Sequence, residues 1–131
     1  MRTQYESEQD RSVERHLINE FVSTKAKKLP KSYGFDFLVK NGERAQVWEV
    51  KRRNKAYETW FVSLLKLLKA KQYEDLGIEA HALVEIEGIP YRVRLTETPR
   101  HIGWGGRKDR NDVADQEPMV HYKLSDMEKL S

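Results

Sequence analysis

Two carboxylates and one amine near the middle of the chain have the types and spacing of a cation-binding site. Asp36 lies thirteen positions before Glu49, and Lys51 follows Glu49 by two positions. Carboxylate oxygens are the ligands that hard divalent cations prefer, so a cation could bridge Asp36 and Glu49 if the fold brings them together. Residues two apart on a strand share a face, which would place Lys51 beside the same cation.

A β-hairpin is predicted to bring these residues together. β-branched and aromatic residues are frequent in Tyr33–Lys40 and in Glu43–Lys51, the two segments that flank Asn41-Gly42. This pair tolerates the positive φ that both central positions of a type I′ turn require. The sequence therefore predicts two antiparallel strands whose register is fixed by a two-residue turn.

The predicted register places both acids and the amine on one face of the hairpin. Asp36 would lie opposite Val47. Glu49 would lie opposite Gly34, so both acids and Lys51 project from the same side. The two acids become diagonal neighbours, roughly 7–8 Å apart at the backbone. This side is expected to be the functional site, while the other side is nearly all apolar and is expected to be core: Tyr33, Phe35, Phe37, Val39, Trp48 and Val50.

A helix is predicted before the hairpin. Apolar residues recur at helical spacing up to Leu29, with Ser12 as a plausible N-cap and Pro30 just beyond the end. The pattern predicts a helix over residues 5–28. Glu14 lies at the margin of its apolar stripe and is expected to point inward.

A second helix is predicted after the hairpin, ending before Gly77. Ile78–Ile86 alternates loosely between apolar and polar residues and predicts a strand. A turn then leads into Tyr91–Leu95, with Pro90 at the start of that strand, where a missing amide donor is tolerated. The buried face of the second helix is expected to comprise Tyr57, Trp60, Phe61, Leu64, Leu65 and Leu68.

Residues 97–118 are predicted to form a long irregular loop, because they contain three glycines and two prolines among Arg and Asp residues. In this loop, Arg107 and Arg110 could contact nucleic acid or pair with neighbouring aspartates. Trp104 could wedge into unpaired or branched nucleic acid, or it could cap the core. Residues 119–131 are expected to add a short strand and a terminal helical turn.

Composition indicates a soluble globular protein with one domain over residues 1–131 and a core within residues 12–95. Apolar residues make up 38% of the chain and charged residues 34%. The absence of cysteine excludes thiolate catalysis and zinc–sulfur sites and permits a reducing compartment. Since neither a signal peptide nor an apolar run of ~20 residues occurs, we expect a cytoplasmic protein, phage-encoded or cellular, without a membrane partner.

The charge distribution favours a polyanionic partner. Residues 25–71 hold 13 Lys and Arg against 4 Asp and Glu, a local charge of +9, while the remainder holds 11 against 17, or −6. A concentrated positive region beside the hairpin suits nucleic acid. An ordinary solvated lysine surface would give the same count, so charge alone leaves both interpretations open.

The order helix, strand, strand, helix, strand, with Asp36 followed by Glu49-Val50-Lys51, resembles the PD-(D/E)XK nuclease superfamily. Within it, the chain is most similar to archaeal Holliday-junction resolvases and small phage nucleases. Those carry a helical Glu followed by Arg and two apolar residues, which Glu14-Arg15 and Leu17-Ile18 match. The resemblance covers residues ~12–86. Phe35 stands where the superfamily frequently has proline.

The resemblance implies a restriction-endonuclease-like α/β core with a mixed β-sheet flanked by helices, in the order α-β-β-α-β-β, followed by a loop and a short strand. It implies a Mg²⁺- or Mn²⁺-dependent nuclease that hydrolyses DNA, branched or single-stranded, and leaves 5′-phosphate ends. Asp36, Glu49 and the Val50 carbonyl would hold the metal, with Glu14 binding directly or through water. Lys51 would orient the attacking water and stabilise the phosphorane oxygens.

The resemblance favours DNA over RNA as partner, and resolvase-like relatives act as dimers, which leaves a homodimer open. Backbone phosphates are expected to contact Arg52, Arg53, Lys55 and Lys66. Two alternatives remain: a nucleic-acid-binding protein that keeps the nuclease fold without catalysis, and a phage interaction protein that uses residues 97–118 as its contact surface.

Overall fold

The computed structural model describes residues 8–106 and 116–130. They form two helices and two β-sheets. The larger sheet has the strand order β1-β2-β3-β5-β6-β9, and the smaller has the order β4-β8-β7. The elements are α1 (Glu8–Phe21), β1 (Lys27–Lys28), β2 (Phe37–Asn41), β3 (Arg44–Arg53), β4 (Thr59–Ser63), α2 (Leu64–Asp75), β5 (Ile78–Ile86), β6 (Ile89–Arg94), β7 (His101–Gly106), β8 (Gln116–Lys123) and β9 (Glu128–Lys129).

The larger sheet is mixed. β3 pairs in parallel with β5, while the other neighbouring strands of the sheet run antiparallel. A parallel pair needs a crossover connection, and α2 supplies it between β3 and β5. The predicted α/β class, a mixed sheet flanked by helices, is confirmed. Among the described residues, neither helix is long and apolar enough to cross a membrane.

Both faces of β3 are covered, which differs from the prediction. On one face, Trp48 and Val50 pack against Leu17 and Ile18 of α1. On the other face, Val47 is buried with the inner face of the smaller sheet and with α2. A central parallel strand is enclosed on both sides, so only one end of the predicted site face is accessible. Tyr33, which was expected in the core, is about half exposed at 49%.

The turn of the first hairpin lies one residue later than predicted. Asn41 pairs with Arg44, which leaves Gly42 and Glu43 as the two turn residues. Gly42 has a φ of 68°, whereas Glu43 is not among the residues with positive φ. Positive φ at the first central position alone is the type II′ arrangement, which favours glycine there. The predicted type I′ turn is therefore wrong: the turn lies one residue later, and each cross-strand partner moves by two residues.

The first helix is shorter than predicted. α1 ends at Phe21 instead of near residue 28, and residues 5–7 lie outside the described residues. The Ser23 hydroxyl accepts a hydrogen bond from the Lys25 N–H at 3.0 Å, a local alternative to helical bonding. Residues 27–28 then pair with β2 as β1. Pairing with the β2 edge therefore replaces the last predicted helical turn.

The second predicted helix is in fact a strand followed by a helix. In β4, Trp60 and Val62 are buried while Phe61 is exposed, the alternation of a strand. α2 begins at Leu64, and the Ser63 hydroxyl caps it by accepting the Lys66 N–H at 3.3 Å. Leu67 and Ala70 form the buried face of α2. Tyr57, Phe61, Leu65 and Leu68, which were expected to be buried, are exposed.

The predicted irregular loop over residues 97–118 contains β7 and the first residues of β8, and the rest of β8 is the short strand predicted to begin at residue 119. β7 and β8 pair antiparallel, and β4 pairs with the other edge of β8. Residues 107–115 lie outside the described residues. Trp104 is 69% exposed, so it does not cap the core. The predicted terminal helical turn is a single 3-10 turn that leads into β9.

Candidate active site

Asp36 lies between a tight turn and the start of β2. The turn ends at Gly34, which has a φ of +78° and lies so close to α2 that an added Cβ would be 3.1 Å from the Lys69 Cγ. Both features favour glycine. After the turn, the Asp36 N–H donates to the Trp48 carbonyl at 2.9 Å. The Asp36 Oδ2 accepts the Val50 N–H at 2.8 Å. These two bonds hold Asp36 beside the part of β3 that carries Glu49.

Glu49 is a buried acid held by two lysines. The residue is 4% exposed. Its Oε1 lies 3.1 Å from the Lys66 Nζ, and its Oε2 lies 3.4 Å from the Lys51 Nζ. Lys66 also donates to the Gly34 carbonyl. The two lysines therefore contact different oxygens of one buried carboxylate.

Glu49 is subject both to burial and to nearby charges of both signs. Burial raises the pKa of the Glu49 carboxyl, and the nearby charge of Asp36 raises this pKa further. The charges of Lys66 and Lys51 act in the opposite direction and only partly compensate. Two neighbouring carboxylates in a desolvated position repel one another, and a divalent cation between them would relieve that repulsion. Asp36, Glu49 and Lys51 thus lie together as the sequence predicted.

Glu14 lies nearby but does not join the two acids. It lines a cleft with Arg11, Arg15, Lys28 and Phe37. From this cleft, the Lys28 Nζ reaches to 3.6 Å from the Asp36 Oδ1. Within residues 8–106 and 116–130, no three His, Asp or Glu side chains form a group that could hold a metal. Binding of a metal by Glu14 therefore stays a prediction.

The basic residues predicted to contact nucleic acid occupy different surfaces. Arg53 follows Glu49 and Lys51 at alternate positions of β3 and shares their face. Arg52 lies on the opposite face, where its Nε is 3.0 Å from the Glu85 Oε1. Lys55 is exposed, and its Nζ lies 5.5 Å from the centre of the Tyr57 ring. Lys66 lies inside the site, and Arg107 and Arg110 lie outside the described residues.

The contact of Lys66 with Glu49 is the feature of the site that the sequence interpretation missed. Lys66 was assigned to backbone phosphates because it lies off the predicted apolar stripe. The signal that could have found it is Ser63, a favourable N-cap residue just before the leucine-rich segment. A helix that begins at Leu64 places Lys66 in its first turn, next to the end of the sheet.

The family of the chain follows from a match of its sequence to a family model. Residues 1–130 match the family model described as "Phage putative PDDEXK endonuclease". The chain belongs to this family of phage PD-(D/E)XK nucleases. The family agrees with the predicted superfamily. No curated protein matches the chain.

A solved structure has a similar fold. The nuclease resembles Hjc, a Holliday junction resolvase from Archaeoglobus fulgidus, with a TM-score of 0.57. The similarity covers 88% of this chain and 81% of Hjc, and 14% of the residues are identical. At this identity the likeness shows a shared fold.

The donor set of the phage nuclease fits the divalent metals that PD-(D/E)XK nucleases generally use. Asp36 and Glu49 supply hard carboxylate oxygens from adjacent segments, and Glu49 is buried with a raised pKa. The Val50 N–H already orients Asp36 through its bond to Oδ2. The carboxylates present therefore have the chemistry that a divalent metal requires.

Proposed function

We propose that this phage nuclease cuts DNA, including branched DNA, with Mg²⁺ or Mn²⁺ as its cofactor. The observation that supports metal dependence is the buried Glu49 beside Asp36, with Lys51 3.4 Å from its Oε2. Branched DNA is proposed from the fold that the nuclease shares with a Holliday junction resolvase. Since fold alone does not set substrate, the experiment below includes several DNA forms.

Each residue of the site has a distinct proposed role. Asp36 and Glu49 would hold the metal, together with the Val50 carbonyl and with Glu14 either directly or through water. A bound divalent ion would lower the pKa of a water and neutralise charge on the phosphate. Lys51 is 42% exposed at its side chain, so its ammonium can reach from Glu49 towards a phosphate at the surface. There it would position the attacking water and stabilise the phosphorane oxygens.

DNA is proposed to approach from the Glu49 face of β3. Arg53 lies on this face beyond Lys51, and Lys55 follows it in an exposed connection. Both can contact backbone phosphates, which gives affinity without base specificity. Arg52 is less suited to this role, because it pairs with Glu85 on the opposite face.

Cleavage by Glu49→Gln tests the proposal. The wild-type protein and this variant are compared on single-stranded, duplex, flap and four-way DNA with Mg²⁺, with Mn²⁺ and with EDTA. The amide keeps the size of the side chain but loses a charged metal ligand, so we expect cleavage to fall at least about 100-fold while DNA binding persists. Glu43→Gln, at the exposed hairpin turn, is the matched control and should cleave normally.

The outcomes separate the candidate functions. Full cleavage by Glu49→Gln, or cleavage by the wild type in EDTA, would contradict the proposed mechanism. Binding by the wild type without cleavage under either metal would favour a nucleic-acid-binding protein that retains the fold. Failure to bind any of these DNAs at physiological salt would favour the interaction protein. Preference for the four-way or flap substrate would support branched DNA.

A further inference from the structure

Lys66 joins the two segments that carry the acids of the site. Its Nζ lies 3.1 Å from the Glu49 Oε1 on β3 and donates to the carbonyl of Gly34 in the turn before Asp36. The same ammonium lies 4.8 Å from the centre of the Phe35 ring, a cation–π contact. One cation on α2 therefore binds both sides of the site at once.

The Lys66 ammonium lies where a metal cation would balance the negative charge of Glu49. Glu49 is buried, and a buried carboxylate without a counter-charge is strongly unfavourable. Lys66 is the more enclosed of its two lysine partners, with 22% of its side chain exposed against 42% for Lys51. Lys66 therefore supplies the more enclosed positive charge beside Glu49 and links this carboxylate to the turn before Asp36.

We propose that Lys66 is the resident cation of the metal-free site and that a divalent ion displaces its ammonium group from Glu49. The inference rests on the proposed function, since it assumes that the metal binds Glu49. A metal ion bound to Oε1 would lie within a few ångströms of the Lys66 ammonium, and two cations this close repel each other. The Gly34 carbonyl and the Phe35 ring remain as partners for Lys66 after it leaves Glu49.

The proposed role makes Lys66 a positioning residue with two opposite effects. It stabilises the metal-free protein by pairing with Glu49. It also competes with the metal for the same carboxylate oxygen, so its removal should tighten metal binding. If Lys66 only packed against the rest of α2, its replacement would leave the metal affinity unchanged. Metal affinity would then not be linked to the stability of the metal-free protein.

Lys66→Met tests these effects, with Lys69→Met as the matched control. Lys69 lies on the same helix and packs its aliphatic stem against Gly34, and methionine retains much of a lysine stem. Melting temperature in EDTA and Mn²⁺ affinity by titration calorimetry are measured for both variants and the wild type. We expect Lys66→Met to melt lower in EDTA and to bind Mn²⁺ about fivefold tighter or more. Lys69→Met should match the wild type in Mn²⁺ affinity.

A measurement on the wild type keeps the inference testable if Lys66→Met fails to fold. Acetylation of individual lysines is followed by mass spectrometry with and without Mg²⁺. Release from Glu49 should make Lys66 react faster when Mg²⁺ is present, while the rate at Lys69 stays constant. An unchanged rate at Lys66 under saturating Mg²⁺ would overturn the displacement.

Failure of the inference and failure of the proposed function look different. If the wild type binds Mn²⁺ and Lys66→Met binds it equally or more weakly, Lys66 does not compete with the metal and only the inference is wrong. If the wild type binds no Mn²⁺ at millimolar concentration, both the metal-dependent function and the displacement are wrong.

Discussion

Replacing Asp36 separates its structural role from its proposed catalytic one. The Asp36 Oδ2 accepts the Val50 N–H at 2.8 Å in a partly buried position. Alanine removes this acceptor and leaves the Val50 N–H without its carboxylate partner. Loss of a hydrogen bond to a charged group costs about 1.5–3 kcal/mol of stability. Asparagine keeps a carbonyl oxygen that can accept the same bond. The two substitutions therefore differ in stability although both remove the charge.

The other contacts of Asp36 set the expected stability of Asp36→Asn. Its ion pair with Lys28, at 3.6 Å, is partly exposed and contributes at most about 1 kcal/mol. Against this loss, the neutral amide removes the repulsion between Asp36 and Glu49, which contributes to the raised pKa of Glu49. The two effects have opposite signs, so we expect Asp36→Asn to lie within about 1 kcal/mol of the wild type.

Thermal melting in EDTA and cleavage with Mg²⁺ are the assays. A loss of about 2 kcal/mol in Asp36→Ala corresponds to a decrease of roughly 6–10 °C in melting temperature for a chain of this length. Asp36→Asn should melt within a few degrees of the wild type. Both variants should cleave at least about 100-fold more slowly. Equal destabilisation by alanine and asparagine would refute the hydrogen-bond argument, and normal cleavage by Asp36→Asn would refute the role as a metal ligand.

Two further predictions concern pH and salt. Burial lowers the pKa of His81 below 6.5, so the unfolded chain binds the proton more tightly and the free energy of unfolding should decrease as pH falls below about 6.5. The variant His81→Phe can keep the ring stacking on Trp48. Urea unfolding of this variant should show a smaller decrease in the free energy of unfolding between pH 7.5 and pH 5.5 than the wild type shows. An equal decrease in both proteins would contradict the role of His81. Arg53→Ala should reduce by about 1 the slope of log affinity for DNA against log salt. Arg52→Ala is the control, because Arg52 pairs with Glu85, and it should leave that slope unchanged. Equal slopes for the two variants would exclude a phosphate contact that only Arg53 makes.

Two strands of the smaller sheet, β4 and β7, could not be predicted from local patterns. Thr59–Ser63 is a short segment of aromatic and β-branched residues just before leucines, and its apolar spacing fits a helix and a strand equally well. The choice is made by pairing with β8, more than fifty residues later. β7 contains three glycines, which are typical of loops, whereas the apolar residues of β8 already indicated a short strand. Tertiary pairing therefore decided β4 and β7, whose own sequences are ambiguous.

The position of Lys66 depends on the same pairing, and Ser63 as an N-cap is its only local sign within this segment. Its contact with Glu49 depends on α2 beginning at Leu64, and that start depends on β4 being a strand. The relation between Glu49 and Lys51 needed no such information, because residues two apart on any strand share a face. Local spacing thus predicted the pair on β3, whereas the lysine from a separate helix required the complete fold.

The error in the hairpin turn left the predicted faces intact for a geometric reason. Moving a two-residue turn by one position shifts each residue's partner by two, so Leu38 pairs with Val47 instead of Ala45. Partners two apart lie on the same side of a strand, so the residues within the ladder keep their predicted faces. Phe35, which precedes β2, is an exception: it was expected on the core face with Phe37 but packs with Val47 on the side of the sheet that carries Lys66. Asp36 lies just beyond the ladder, which ends at Phe37–Trp48, and its N–H donates to the Trp48 carbonyl. The charge of Asp36 still acts on Glu49 and raises the pKa of its carboxyl. The proximity of the two acids therefore required the correct strands and faces, and it did not require the exact register.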